Sequence, residues 1–155
     1  NNEGIDFQNK VIRHSLLFNT LGGLLLIILG YPFIKIIFGK EFIFAYTIML
    51  IIIPGIVIDS VCRTIFSWYK GTGKPKIVSY FSAGSLILNI IFNIFLIPIW
   101  GLYGAGFSLL FTYIIKSSIL VLFYRKSYYL SFRDILLIKR DEIVNLKMHY
   151  FNNMV

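Results

Sequence analysis

From Ile77 to Ile99 the chain carries no formally charged residue. A helix needs about 20 apolar residues to cross the ~30 Å hydrocarbon core of a bilayer, and this stretch is long enough. Three more apolar runs accompany it, Leu16–Phe38, Phe42–Phe66 and Leu102–Tyr124. A soluble domain of 155 residues has no interior large enough to hide all four. Composition agrees, with 57% hydrophobic and only 14% charged residues. The expected fold is all-α and polytopic, with four transmembrane helices at about 16–38, 42–66, 77–99 and 102–124. Short polar turns make successive helices antiparallel neighbours. Residues 1–15 read as a cytoplasmic lead-in and residues 125–155 as a basic cytoplasmic tail.

The net charge of +8 sits mostly between the apolar runs, where Lys and Arg set orientation in a membrane. Lys10 and Arg13 precede the first run, Lys70, Lys74 and Lys76 join the second to the third, and Arg125 and Lys126 follow the fourth. On the opposite side only Lys40 appears, offset by Glu41. Both ends therefore read as cytoplasmic. Trp68, Trp100, Tyr103 and Tyr124 fall at span ends, as interfacial aromatic residues do. No basic-aromatic module accompanies the charge, so nucleic acid is not an expected partner. In the tail, Ser131 and Asp134 have the spacing of a helix N-cap, and Phe132, Ile135, Leu136, Ile143 and Leu146 recur at helical spacing. That pattern predicts an amphipathic helix lying on anionic lipid.

Charged residues inside a bilayer are costly and face the bundle interior or water. Lys35 and Arg63 lie within about 6 Å of a span end at 1.5 Å rise per residue, and their long stems allow snorkelling. Asp59 and Lys116 sit deeper, each about 12 Å from the cytoplasmic end of its span. Asp59 also shares a helical face with Arg63, four residues on. Asn89 and Asn93 share one face of the third span, where helix–helix hydrogen bonding is the first expectation. Gly104 and Gly106 suit close helix approach, and Pro54-Gly55 is a candidate kink or hinge in the second span.

Chemistry of other kinds finds no support. His14, His149 and the lone Cys62 are too few and too scattered for a metal cluster, and one cysteine builds no disulfide framework. Gly71-Thr72-Gly73-Lys74 lacks the spacing of a phosphate loop. No nucleophile–base set or carboxylate pair suggests catalysis, so the chain is not expected to be an enzyme or to hold a cofactor.

Several motifs occur in a recognisable order. Phe38-Gly39-Lys40-Glu41-Phe42 resembles the FGxxF turn of bacterial polysaccharide exporters. Gly71-Thr72-Gly73-Lys74-Pro75 resembles their cytoplasmic glycine-rich turn. Asn89, Asn93, Leu96-Ile97-Pro98 and Gly101-Leu102-Tyr103-Gly104-Ala105-Gly106 resemble their N-x-x-x-N, IP and G-x-x-GA signatures. The chain thus resembles, over about Leu16 to Asp141, the lipid-linked oligosaccharide (O-antigen-type) flippases of the multidrug/oligosaccharidyl-lipid/polysaccharide exporter superfamily.

The resemblance implies twelve or more helices in two lobes around a central cavity, in the bacterial cytoplasmic membrane. This chain would then be a C-terminal fragment supplying the last four helices, and its partners would be membrane lipid, a polyprenyl diphosphate oligosaccharide and the rest of the transporter. Asp59, Arg63, Lys116, Asn89 and Asn93 are the cavity candidates. Two readings of the charges stand: structural pairing of Asp59 with Lys116 or Arg63, or basic groups attracting the substrate diphosphate with Asp59 tuning them. A coupling ion, H+ or Na+, would find its tentative site at Asp59. The alternatives are a drug/cation antiporter of the same superfamily and a small oligomerising membrane scaffold.

Overall fold

The computed structural model describes residues 2–130, which form four long helices: α1 (Asn2–Ile37), α2 (Ile43–Gly71), α3 (Pro75–Trp100) and α4 (Leu102–Tyr128). All four are long and apolar enough to cross a membrane, and no strand occurs among the described residues. The all-α, four-span architecture expected from the apolar runs is what the chain adopts. The amphipathic helix expected from Ser131 onward lies outside the described residues.

The helices extend past the apolar runs, because backbone hydrogen bonding continues into the headgroup layer after the apolar side chains stop. The largest difference is at the start. Residues 2–15 are not a separate lead-in but the first four turns of α1. Gln8, Asn9, Ile12 and Arg13 lie on one helical face and are buried. That face is polar, so no apolar run marked it. Gln8 Nε2 donates to the Thr64 carbonyl at 2.8 Å, and Tyr124 Oη donates to Asn9 Oδ1 at 3.3 Å, tying α1 to both α2 and α4.

Helices α2 and α4 form the central pair, α1 packs along α2, and α3 packs along α4. The packed core lies at the end of the bundle that carries the Lys70–Lys76 turn. It consists of Ile12, Val61, Cys62, Ile65, Tyr69, Val78, Leu120 and Tyr124. Towards the other end the apolar side chains of α1 and α3 turn outward, including Leu25, Ile28, Phe33, Ile90, Ile94 and Ile97. In water such a surface would be untenable; in hydrocarbon it costs nothing, since lipid tails are as apolar as leucine.

The joint between α3 and α4 is a single residue. Gly101 adopts φ 56°, ψ −131°, which L side chains rarely enter. Its N–H bonds to the Ile97 carbonyl at 2.8 Å and its own carbonyl accepts from Ala105 at 3.4 Å. It therefore ends one helix and begins the next. Pro54 does not break α2, which continues through it as one helix, and α3 likewise runs through Pro98 to Trp100.

Candidate functional site

The α4 row Gly104, Ser108, Thr112, Lys116, Leu120, Tyr124 follows a spacing of four. At 3.6 residues per turn such a row drifts around the helix by about 40° per step. Its outer members meet α3 and its inner members meet α2 and α1. Gly104 has no side chain because the Leu96 carbonyl of α3 occupies that space. Thr112 Oγ1 accepts from Asn89 Nδ2 of α3 at 3.3 Å, and Asn89 Oδ1 accepts from Asn93 Nδ2 at 3.0 Å. Thr112 and Ser108 hydroxyls donate back to the carbonyls of Ser108 and Gly104 at 2.7 and 2.8 Å. The two asparagines are thus joined to α4 in a polar ladder. Tyr124, at the inner end, reaches Asn9 of α1.

Lys116 stands where the row crosses from α3 to α2. Its ammonium forms an ion pair with Asp59 Oδ1 of α2. The side chains are 12% and 10% exposed, respectively, so both are largely withdrawn from the surroundings. Lys116 Nζ also lies 5.1 Å from the centre of the Tyr113 ring and 6.0 Å from that of Phe66. These distances suit cation–π attraction in a low dielectric. The other carboxylate oxygen, Asp59 Oδ2, is 3.8 Å from Arg63 Nε one turn along α2. Arg63 also donates through Nη2 to the Ile56 carbonyl at 3.3 Å, and its side chain is 57% exposed. Two cations and one anion therefore share this level of the bundle. One positive charge is left over.

Beside Lys116, α3 parts from α4. The helices touch through the Phe81 and Phe123 rings, 5.8 Å apart, and again at Asn89–Thr112. Between these contacts lies a gap of about 380 Å³, walled by Ser85, Gly84, Leu88, Ile115 and Ile119 and reached by Lys116. The gap lies between α3 and α4, and Lys116 is the member of the charge cluster that reaches it.

The remaining sequence candidates are packing positions. Gly55 is buried against α4, where a methyl group would sit 3.0 Å from Tyr113 Cδ2 and 3.3 Å from Leu110 Cα. Pro54 beside it is exposed, facing away from that contact. Gly106 lies against Ile48 and Ile51 of α2, with ordinary contact distances. Thr112, Ser108, Gln8 and Asn9 were not marked by the sequence, and Tyr124, expected at the membrane interface, is fully buried in the core. The spacing of four in α4, and the 8-9-12-13-16 pattern in α1, were the signals available. Among the described residues no group of His, Cys, Asp and Glu could hold a metal ion.

A model of the MatE protein family matches residues 8–95, from the first turns of α1 through most of α3. No curated protein and no solved structure matches the chain. The matched region contains Asp59, Arg63, Asn89 and Asn93, whereas Lys116, Gly104 and Gly106 lie beyond it. With more than half of its length matched and four membrane-crossing helices, this chain belongs to the MatE family of membrane exporters, in the multidrug/oligosaccharidyl-lipid/polysaccharide superfamily.

Proposed function

We propose that this chain forms part of an exporter that moves a lipid-linked oligosaccharide across the cytoplasmic membrane, and that the Lys116–Asp59–Arg63 cluster attracts the diphosphate of that substrate. The observation that carries the reading is the cluster's charge: two cations on one carboxylate, with Arg63 the more exposed partner. A net positive site within a low-dielectric layer favours an anion and repels a cation. Phosphate is well matched to the planar guanidinium fork of Arg63. The motif resemblance at Gly39, Gly73, Asn89 and Gly101 supports the same substrate class. Two lobes rocking about this site would expose it to each side in turn.

The test is transport in cells whose surface polysaccharide depends on the exporter. Arg63→Gln should cut export of the lipid-linked oligosaccharide by about tenfold or more, the worth of a charge-assisted contact in a dry site. Protein level should stay unchanged, because the Arg63 side chain is largely outside the packed core. Export at the wild-type rate would overturn the assignment. So would export of lipophilic cations that Asp59→Asn abolishes, which would identify a drug/cation antiporter instead.

A further inference from the structure

We propose that the groove between α1 and α2 seats the isoprenoid chain of the substrate, with the diphosphate at its Arg63 end, a placement that rests on the substrate reading above. Arg63 does not snorkel to the near end of its span. Its Nη2 donates to the Ile56 carbonyl, seven residues back along α2, at 3.3 Å. The side chain thus runs away from the Lys70–Lys76 turn and deeper into the bilayer, the direction in which helical side chains lean. At that depth an exposed cation is tolerated beside water or an anion, not beside hydrocarbon. The face of α2 that carries Arg63 and Ile56 therefore lines the transport route.

Ile56 is also one wall of a groove of about 360 Å³, shared with Phe18 and Leu26 of α1 and Ile53 and Val57 of α2. That volume falls within the usual range of small-ligand sites, about 300–1,000 Å³. Two adjacent glycines shape it. Gly23 lets the helices approach, since a methyl group there would sit 3.1 Å from Ile53 Cγ2 and 3.3 Å from Val57 Cγ2. Gly22 has nothing within 4 Å of an added carbon, so its missing side chain leaves the groove open. The polar member of the lining, Asn19, donates to the Ser15 carbonyl at 2.8 Å and so turns its amide to its own helix. An apolar channel that begins at the residue holding a deep guanidinium matches a molecule with an anionic head and a hydrocarbon chain. The gap beside Lys116 matches it less well, because that ammonium is largely withdrawn and turned to Asp59.

The full chain in lipid nanodiscs is titrated with geranylgeranyl diphosphate and with isopentenyl diphosphate, which keeps the head and shortens the chain. Gly22→Leu should weaken the long-chain probe about fivefold or more and the short one by less than about twofold, since only the long chain fills the groove. Gly22→Ser, which leaves the groove open, should bind both as the wild type does. Gly84→Leu, which fills the gap between α3 and α4 instead, should do the same. Both leucines enter open space, so Cys62 should be alkylated at the wild-type rate in each variant. Arg63→Gln should weaken both probes by about tenfold. Unchanged binding of both probes by Arg63→Gln would overturn the diphosphate reading and this assignment with it. If Arg63→Gln weakens both but Gly22→Leu binds the long chain like the wild type, only this assignment falls. It falls likewise if Gly84→Leu is the variant that loses the long chain, or if Gly22→Leu weakens both probes alike.

Discussion

Lys116→Met should destabilise the bundle by about 3 kcal/mol, while the double variant Asp59→Asn/Lys116→Met should return to within about 1 kcal/mol of the wild type. Removing one partner of a buried pair leaves the other charge unpaired in a low dielectric, which costs roughly 3–5 kcal/mol. The lower figure applies here because Arg63 remains 3.8 Å from Asp59 and offsets part of the loss. Removing both charges at once leaves only Arg63 without a carboxylate, and its side chain is 57% exposed; replacement of buried ion pairs by apolar or neutral groups is often close to neutral. The single cysteine supplies the readout. Cys62 is fully buried against Ser117, with Sγ 3.2 Å from Oγ, so alkylation requires opening of the α2–α4 contact. Alkylation as fast in Lys116→Met as in the wild type would mean that the ion pair does not hold the helices together.

The second large effect is expected at Gly104. A methyl group there would collide with the Leu96 carbonyl oxygen and lie 2.9 Å from Ile97 N. Both are backbone atoms, so no rotamer change relieves the clash. Gly104→Ala should therefore force α3 and α4 apart at the Gly101 joint and cost about 3 kcal/mol, at the upper end for overpacking. It should also lengthen the Asn89–Thr112 hydrogen bond two turns inward. Gly84→Ala is the control, because nothing lies within 4 Å of the added carbon. That change should be neutral or slightly stabilising through helix propensity. The comparison is read by the thermal unfolding midpoints of the two variants. If the two variants behave alike, the close α3–α4 approach is not part of the folded protein.

These contrasts explain what the sequence made legible. The four spans followed from hydrophobic length alone, since lipid demands a fully hydrogen-bonded apolar helix at each crossing. The Asp59–Lys116 contact was one of two pairings that the sequence offered, Lys116 lying at the same depth of another span and Arg63 four residues along the same helix. Packing at Gly104 followed from small residues beside a turn. The first four turns of α1 stayed hidden because their buried face is built from Gln8, Asn9 and Arg13, and hydrophobicity carries no signal for a polar interior. Thr112 and Ser108 were overlooked for a related reason. Each hydroxyl also bonds its own helix backbone, so only the spacing of four with Gly104 and Lys116 marks them as part of an interhelical row. The gap beside Lys116 was not legible at all, since it depends on α3 parting from α4 between two contacts.

We propose that the Lys116–Asp59–Arg63 cluster selects an anionic lipid-linked substrate. The most direct measurement is binding of three short-chain probes to the purified protein: a polyprenyl diphosphate, the uncharged polyprenol and a lipophilic ammonium ion. Saturable binding of the diphosphate is expected, tighter than of the polyprenol by about tenfold or more, and weakened by Arg63→Gln. Preferential binding of the ammonium probe, lost on Asp59→Asn, would contradict it.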